Sequence, residues 1–253
     1  MAEQITIVKI PFKTSVIKIK NTTSLLSHEW SRKSQWEMLM GQQYGKKKLP
    51  MYFAKFPKCP LMDFAESLHW VTPKPDYLDY ELPYFEEDEK SAIKKIEKFI
   101  ELTKQISRGE IDVMGDIAKG TFGFPSSAIK GALLNAARYF EGLTIVGLKQ
   151  NIGVFGTENT KLIVLRDKDG NPAKPKMDES MAKTANGLAY FCYRGRFDEW
   201  YSEISLKYNS RALSEEAVVN LLDASGNCGI GEWRPTSKNN GNGSFGMFEV
   251  CTE

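Results

Sequence analysis

An α+β chain organised on an antiparallel sheet is predicted by three features of the sequence. A short alternating, β-branched run stands near the start, at Ser15–Lys20, and a last strand-like run at Met247–Cys251. Two helix-period segments, Pro125–Phe140 and Ser214–Ala224, are interleaved with further strand-like runs rather than segregated from them. A long stretch at about 45–115 breaks the alternation and reads as an insertion into a single domain spanning 1–253. With 253 residues, 42% hydrophobic and 26% charged, the chain has an ordinary globular composition and enough apolar content for a sizeable core.

The elements follow in order. Gln4–Ile10 and Ser15–Lys20 carry β-branched residues in alternation and read as two opening strands separated by Pro11. Asn21–His28 is a polar turn around a Leu pair. Trp36, Leu39 and Met40 have helical spacing, so a helix is expected over Trp30–Tyr44 and is broken by Gly45-Lys46-Lys47-Lys48. Residues 50–87 hold Pro57, Pro60, Pro73, Pro75 and Pro83 among Trp70, Tyr77, Tyr80, Tyr84 and Phe85, a density that permits only a short helix at Leu61–Trp70. Glu87–Ile106 has a helical apolar stripe. Gly115–Gly123 is glycine-rich and leads to Pro125–Phe140, where proline suits the first turn and Ser126 and Ser127 can cap. Leu143–Leu148, Lys161–Arg166, Leu188–Phe197 and Trp200–Tyr208 read as strands, and Asp167–Pro172 as a turn. Two helices among antiparallel strands fit an elaborated ferredoxin-like sheet with its helices on one face.

Most catalytic classes are hard to assemble from these residues. Cys59, Cys192, Cys228 and Cys251 are too dispersed for a structural zinc site, so buried free thiols and no cofactor are expected. His28 and His69 are the whole histidine complement, which leaves few candidates for a nucleophile–base pair. Asp167 and Asp169 precede Gly170 as in a calcium loop, but position 178 is Asp and Pro172 and Pro175 interrupt, so a hairpin turn is the better reading. Asp112 and Asp116 could hold a metal, although two acids on a loop are a weak signal. No apolar run approaches the ~18 residues of a membrane span, and no secretion signal opens the chain, so a cytoplasmic protein is expected.

Charge and glycine are distributed in a more informative way. The net charge of +2 hides a basic stretch at 32–58, with Lys46, Lys47 and Lys48 at its centre, and an acidic one at 63–101. Lys119, Ser126, Ser127, Lys130 and Arg138 gather where a glycine-rich loop enters a helix, a setting that suits a phosphate as well as simple capping. In Gly229–Val250 glycines surround Trp233, Arg234, Lys238 and Phe245. The backbone there can approach another backbone or an anion, the rings can stack, and the cations can reach phosphates. The same composition equally suits a hairpin anchored by its own aromatics. Arg194 and Arg196, with Tyr190 and Tyr193, lie on a predicted strand that could assist.

Three segments resemble the RAMP superfamily, the repeat-associated proteins that build the backbone of CRISPR effector complexes. Phe124-Pro-Ser-Ser-Ala-Ile-Lys130-Gly131 through Arg138 is similar to that family's Pro-Gly-Ser-Ser-x-(Lys/Arg)-Gly-x-x-Arg stretch. Gly229–Val250 is similar to its C-terminal glycine-rich loop, and Thr22–Leu26 to the turn after its opening strand. The whole chain also resembles RAMP-like proteins of bacteriophages that end in Gly-x-Gly-x-(Trp/Phe)-Arg-Pro. The resemblance implies a modified RNA-recognition-type fold and a non-enzymatic protein that tracks single-stranded RNA or DNA and oligomerises along it. Carried over by position, Ser126, Ser127 and Lys130 would meet the strand at the helix start, and Arg234 and Lys238 on the loop. Ser126 stands where the family has glycine, and Leu134 at a frequent arginine position. Two alternatives stay open: an interaction protein that mimics or caps such a complex through the acidic, aromatic residues 63–89, and a metal-dependent nuclease using Asp112 and Asp116.

Overall fold

The computed structural model describes residues 9–45, 49–51, 56–157, 160–183, 187, 189–237 and 243–251. In chain order the elements are β1 (Phe12–Asn21), β2 (Leu25–Ser27), α1 (Arg32–Tyr44), α2 (Pro60–Glu66), β3 (His69–Trp70), α3 (Glu89–Ser107), α4 (Val113–Lys119), β4 (Phe122–Pro125), α5 (Ser126–Ala136), α6 (Ile145–Asn151), β5 (Ile152–Phe155), β6 (Leu162–Val164), β7 (Lys176–Lys183), β8 (Ala189–Phe197), β9 (Tyr201–Asn209), α7 (Glu215–Gly226) and β10 (Phe248–Val250). They divide into two compact units. Unit 1 comprises 1–25, 124–171 and 199–253, and unit 2 comprises 26–123 and 172–198.

Unit 1 is organised on a four-stranded sheet in the order β10-β1-β9-β5, with every neighbouring pair antiparallel. Along the chain its principal elements run β1, α5, β5, β9, α7, β10. This is the β-α-β-β-α-β succession of a ferredoxin-like fold, and the sheet order corresponds to 4-1-3-2. The predicted fold class is therefore the observed one. Helices α5 and α7 pack on each other and along β5 and β10. Strand alternation assigns the faces. Ile17, Ile19, Ile204, Leu206, Tyr208, Ile152, Val154 and Phe248 point to the helix layer, where Ile129, Leu133, Val218, Leu221 and Leu222 complete the core. Ser15 lies on this same side and donates to the Glu215 carboxylate at 2.8 Å in the first turn of α7.

Unit 2 joins β7 and β8 in an antiparallel hairpin, with β2 on the other side of β8, and packs α2 against β8. Its interior is strongly aromatic. Trp36, Phe56, Phe99 and Tyr80 form a chain of tilted and edge-on rings with centroids 4.8–5.3 Å apart. Phe122 meets Trp70 at 4.8 Å and Phe197 at 6.1 Å. Helix α3 buries Ala92, Ile96, Phe99 and Ile106, while Ile93, Ile100 and Leu102 of its sequence stripe are half-buried.

Several boundaries differ from the sequence reading, for local reasons. Residues 145–151 are helix rather than strand, because Thr144 caps them by accepting from the Gly147 N–H at 3.0 Å; the β-branched Thr144-Ile145-Val146 run misleads. Helix α2 stops at Glu66, and Trp70 belongs to a strand. The glycine-rich 115–123 segment contains most of α4, capped by Asp112. Pro125 is the N-cap residue of α5 and neither serine caps it, so Ser126 and Ser127 occupy the first turn. Strand β7 is polar in composition, as KMDESMAK, and carries no strand signal of its own. The predicted strand at Gln4–Ile10 falls for the most part outside the described residues, and Lys9 and Ile10 are irregular.

Candidate nucleic-acid interface

The face of the unit 1 sheet opposite the helices carries aromatic and cationic side chains. By register it presents Phe12, Thr14, Val16, Lys18 and Lys20 from β1, Tyr201, Glu203, Ser205 and Lys207 from β9, Gly153 and Phe155 from β5, and Glu249 from β10. Val16 is 63% exposed and Phe12 45%. Lys207 holds its ammonium 5.6 Å from the centroid of the Phe12 ring. The Phe155 ring lies close to Gly153, where a Cβ would stand 2.9 Å from a ring carbon, so glycine there leaves room for the ring. Lys18 faces Glu203 at 3.8 Å, and Lys20 faces Glu249 at 2.9 Å. The hydrogen bond and charge of Glu249 raise the Lys20 pKa above its ordinary value.

Sequence reasoning did not select this face. Its signal was present as strict alternation in 201–208, which sets Tyr201, Glu203, Ser205 and Lys207 on one side. Only the register of β1 against β9 shows that Phe12, Lys18 and Lys20 join them.

The glycine-rich segment is packed chiefly against itself and the chain's first turn. Ile230 donates to the Gly246 carbonyl at 2.9 Å, Phe245 donates to Trp233 at 3.2 Å, and Gly246 donates to Ser24 at 2.7 Å. A Cβ on Gly243 would fall 1.7 Å from the Trp233 carbonyl oxygen, and one on Gly246 1.8 Å from that of Ile230. Gly246 also has φ +68°. These glycines therefore allow two legs of one loop to touch. Trp233, itself at φ 52°, sets its ring 6.1 Å from Phe245 in an edge-on pair. Arg234 donates to the Gly231 carbonyl at 2.8 Å. Lys238, like Lys46, Lys47 and Lys48, lies outside the described residues. Thr22 donates to the Met247 carbonyl at 2.9 Å, and Thr23 accepts from the Met247 N–H at 3.0 Å, so the first and last of the three resembling segments are in contact.

The third segment begins α5, in the layer behind the sheet. Ser126 is buried and its N–H bonds to Lys161, whereas Ser127 is exposed. Lys130 donates to the Lys149 carbonyl at 3.2 Å and so covers the last turn of α6. Arg138 is exposed, and its charge lowers the pKa of the buried Cys228 thiol against a larger upward push from burial.

In unit 2, Lys119 is exposed at the end of α4. Arg194 is withdrawn from any surface role. Its side chain is 1% exposed and donates to Asp178 at 2.9 Å and Ser180 at 2.5 Å across the β7–β8 hairpin. Arg196, partly exposed, is paired with Asp198 at 2.8 Å. The acidic aromatic residues 63–89 are largely folded into unit 2: Leu78 and Tyr80 are buried, and the Glu87 carboxylate accepts from Ser91 and Lys95 at the start of α3. Asp112 uses its carboxylate on the Gly115 N–H. Among the described residues no three His, Cys, Asp or Glu side chains are grouped to hold a metal ion. Asp167 binds the backbone N–H groups of Asp169 and Asn171, both at 2.9 Å, as a turn former. No helix among the described residues is long and apolar enough to cross a membrane.

No protein-family model matches the sequence, and no curated protein does. Among solved structures, Cmr6 from Pyrococcus furiosus is matched over 96% of this chain and all of its own, at 11% identity and a TM-score of 0.33. A chain of the type III-B Cmr-β complex bound to cognate target RNA is matched over 94% of this chain and 59% of its own, at 7% identity and a TM-score of 0.35.

Proposed function

We propose that this protein binds single-stranded nucleic acid, RNA or DNA, without chemistry of its own, and lays the strand across the open face of the unit 1 sheet. The observation that carries the reading is the composition of that face. Phe12, Phe155 and Tyr201 offer rings on which bases can stack, and Lys18, Lys20 and Lys207 stand among them within reach of the backbone. The resemblance of three segments to RAMP proteins points to the same ligand class, and the reading includes the assembly of several copies along one strand. The helix-layer residues Ser127, Lys130 and Arg138 lie behind the sheet and take no part in this path.

The test is fluorescence anisotropy of labelled single-stranded RNA and DNA of about 20 nucleotides over a range of salt. Three phosphate contacts on a single strand give a slope of log K against log[salt] near −2. A slope near zero, or no binding at low salt, overturns the reading. Size-exclusion chromatography with and without nuclease tests assembly: a large species that shrinks on digestion is expected.

A further inference from the structure

Unit 2 holds a cleft that the sheet-face reading does not use. It has a volume of about 350 Å³, within the range of small-molecule sites. Its walls come from the segment before α1, from α1, from the start of α2 and from β8. Trp30, 56% exposed, and Tyr190, 44% exposed, bring large aromatic surfaces to it, with Tyr193 beside them. Lys58 is held in place from several sides. Its ammonium lies 6.0 Å from the Tyr190 ring centroid and 5.5 Å from that of Tyr193, donates to the Phe191 carbonyl and faces Asp63 at 3.6 Å. Glu37 lines the same cleft, with Lys33 at 4.0 Å.

The recess therefore combines flat apolar faces with an excess of acceptors. Both carboxylates are partly withdrawn from solvent, and burial is the chief cause that raises the pKa of Glu37 and Asp63. A phosphate would meet repulsion from Glu29, Glu37 and Asp63, against Lys33, Lys58 and the His28 imidazole. A flat ring with an edge of adjacent N–H donors would meet stacking surfaces and the Glu37 carboxylate, whose lysine neighbour stands 4.0 Å away. Among the common nucleobases, guanine presents two neighbouring donors, N1–H and the N2 amine, which match the two oxygens of one carboxylate.

We propose that the cleft of unit 2 binds a single guanine base, stacked on Trp30 and Tyr190 and read by the carboxylate of Glu37. The base could belong to a free nucleotide or to an unpaired position of a strand, and the experiment separates these sources. Isothermal titration of the full chain with GMP, AMP, CMP and UMP is expected to show GMP binding at least tenfold tighter than the others. Trp30→Ala, at an exposed position, should weaken GMP roughly tenfold, about one stacked base. Glu37→Gln should remove much of the preference for GMP. In parallel, an oligothymidylate is compared with the same strand carrying one central guanine. A preference for guanine in the oligonucleotide without measurable GMP binding assigns the base to a strand, and GMP binding without that preference assigns it to a nucleotide. Equal affinity for all four nucleotides, or no guanine preference in either arm, overturns the proposal. The sheet-face reading is judged apart from this by the salt slope with guanine-free strands, which the cleft variants should leave unchanged.

Discussion

Replacing Phe12 by alanine separates a stacking platform from a merely exposed strand. The ring is 45% exposed and its polar neighbour is the Lys207 ammonium at 5.6 Å, so truncation removes little core packing. The folding cost should stay within about 1 kcal/mol, the sum of a surface substitution and a weak cation–π contact. A base stacked on the ring is worth about 1–3 kcal/mol. Phe12→Ala should therefore weaken single-strand binding by roughly 5- to 150-fold, while the melting temperature moves by only about 2–4 °C. Anisotropy at fixed low salt reads the first quantity and differential scanning fluorimetry the second. Lys207→Ala should instead act on salt dependence, reducing the slope by about 0.7 for one lost phosphate contact. Because Lys207 leans on the Phe12 ring, the double variant should lose less than the sum of the single losses. If Phe12→Ala binds within twofold of the parent protein while the salt slope stays steep, the strand does not cross this face and the reasoning fails.

Four further outcomes follow from the geometry. Gly246→Ala meets both a positive φ and a carbonyl 1.8 Å from the new Cβ, and should cost about 3 kcal/mol, read as a lower denaturation midpoint. Arg194→Met leaves the carboxylate of Asp178, 15% exposed, without its 2.9 Å partner and should cost about 3 kcal/mol; adding Asp178→Leu should recover part of that in the same melt. Burial is the leading cause that raises the Glu66 pKa, opposed by hydrogen bonds from Tyr80 and the Arg32 N–H, so the folded state holds this proton more tightly and loses stability as pH rises through the raised value. Glu66→Gln keeps the acceptor and removes the charge, so its melting advantage should be present at neutral pH and gone near about pH 4. Glu203→Gln releases Lys18 from an exposed pair and removes a carboxylate from the path of the strand, and should tighten binding about two- to fivefold in the anisotropy assay.

The fold was legible in the sequence because its determinants are local. Alternation in 15–20 and 201–208, the proline-led helix at 125 and the serine-capped helix at 214 define most of the ferredoxin-like core. What was not legible depends on partners far away in the chain. The KMDESMAK run reads as polar surface until β8 pairs with it, and Asp178 within it exists for a guanidinium sixteen residues later. The same distance effect misplaced Arg194. A basic residue on a strand looks available to phosphate, and only the hairpin register shows it enclosed between Asp178 and Ser180. The glycine-rich tail was open to two readings, since glycine serves close approach to a ligand and close approach to another leg of the chain equally well. Contacts such as Gly243 to Trp233 and Gly246 to Ile230 favour the second for those two positions.

The topology of unit 1 leaves one face of its sheet without a helix layer. A β-α-β-β-α-β chain places both helices on one side, so the other side of its sheet stays open unless some other segment covers it. In unit 1 that side keeps Val16 and Phe12 substantially exposed. Bare apolar residues on a regular strand invite association with other sheets, and charged neighbours limit it. The lysine–glutamate pairs at 18–203 and 20–249 and the lysine over Phe12 serve that end in the free protein. A polyanion crossing the face would compete with Glu203 and Glu249 for the same lysines. Binding must then exchange two exposed ion pairs, each worth at most about 1 kcal/mol, for phosphate contacts that gain from counterion release. Such an exchange favours the strand strongly at low salt and weakly at high salt. On the proposed reading, the same ion pairs that shield the free sheet would make its affinity for a single strand depend on ionic strength.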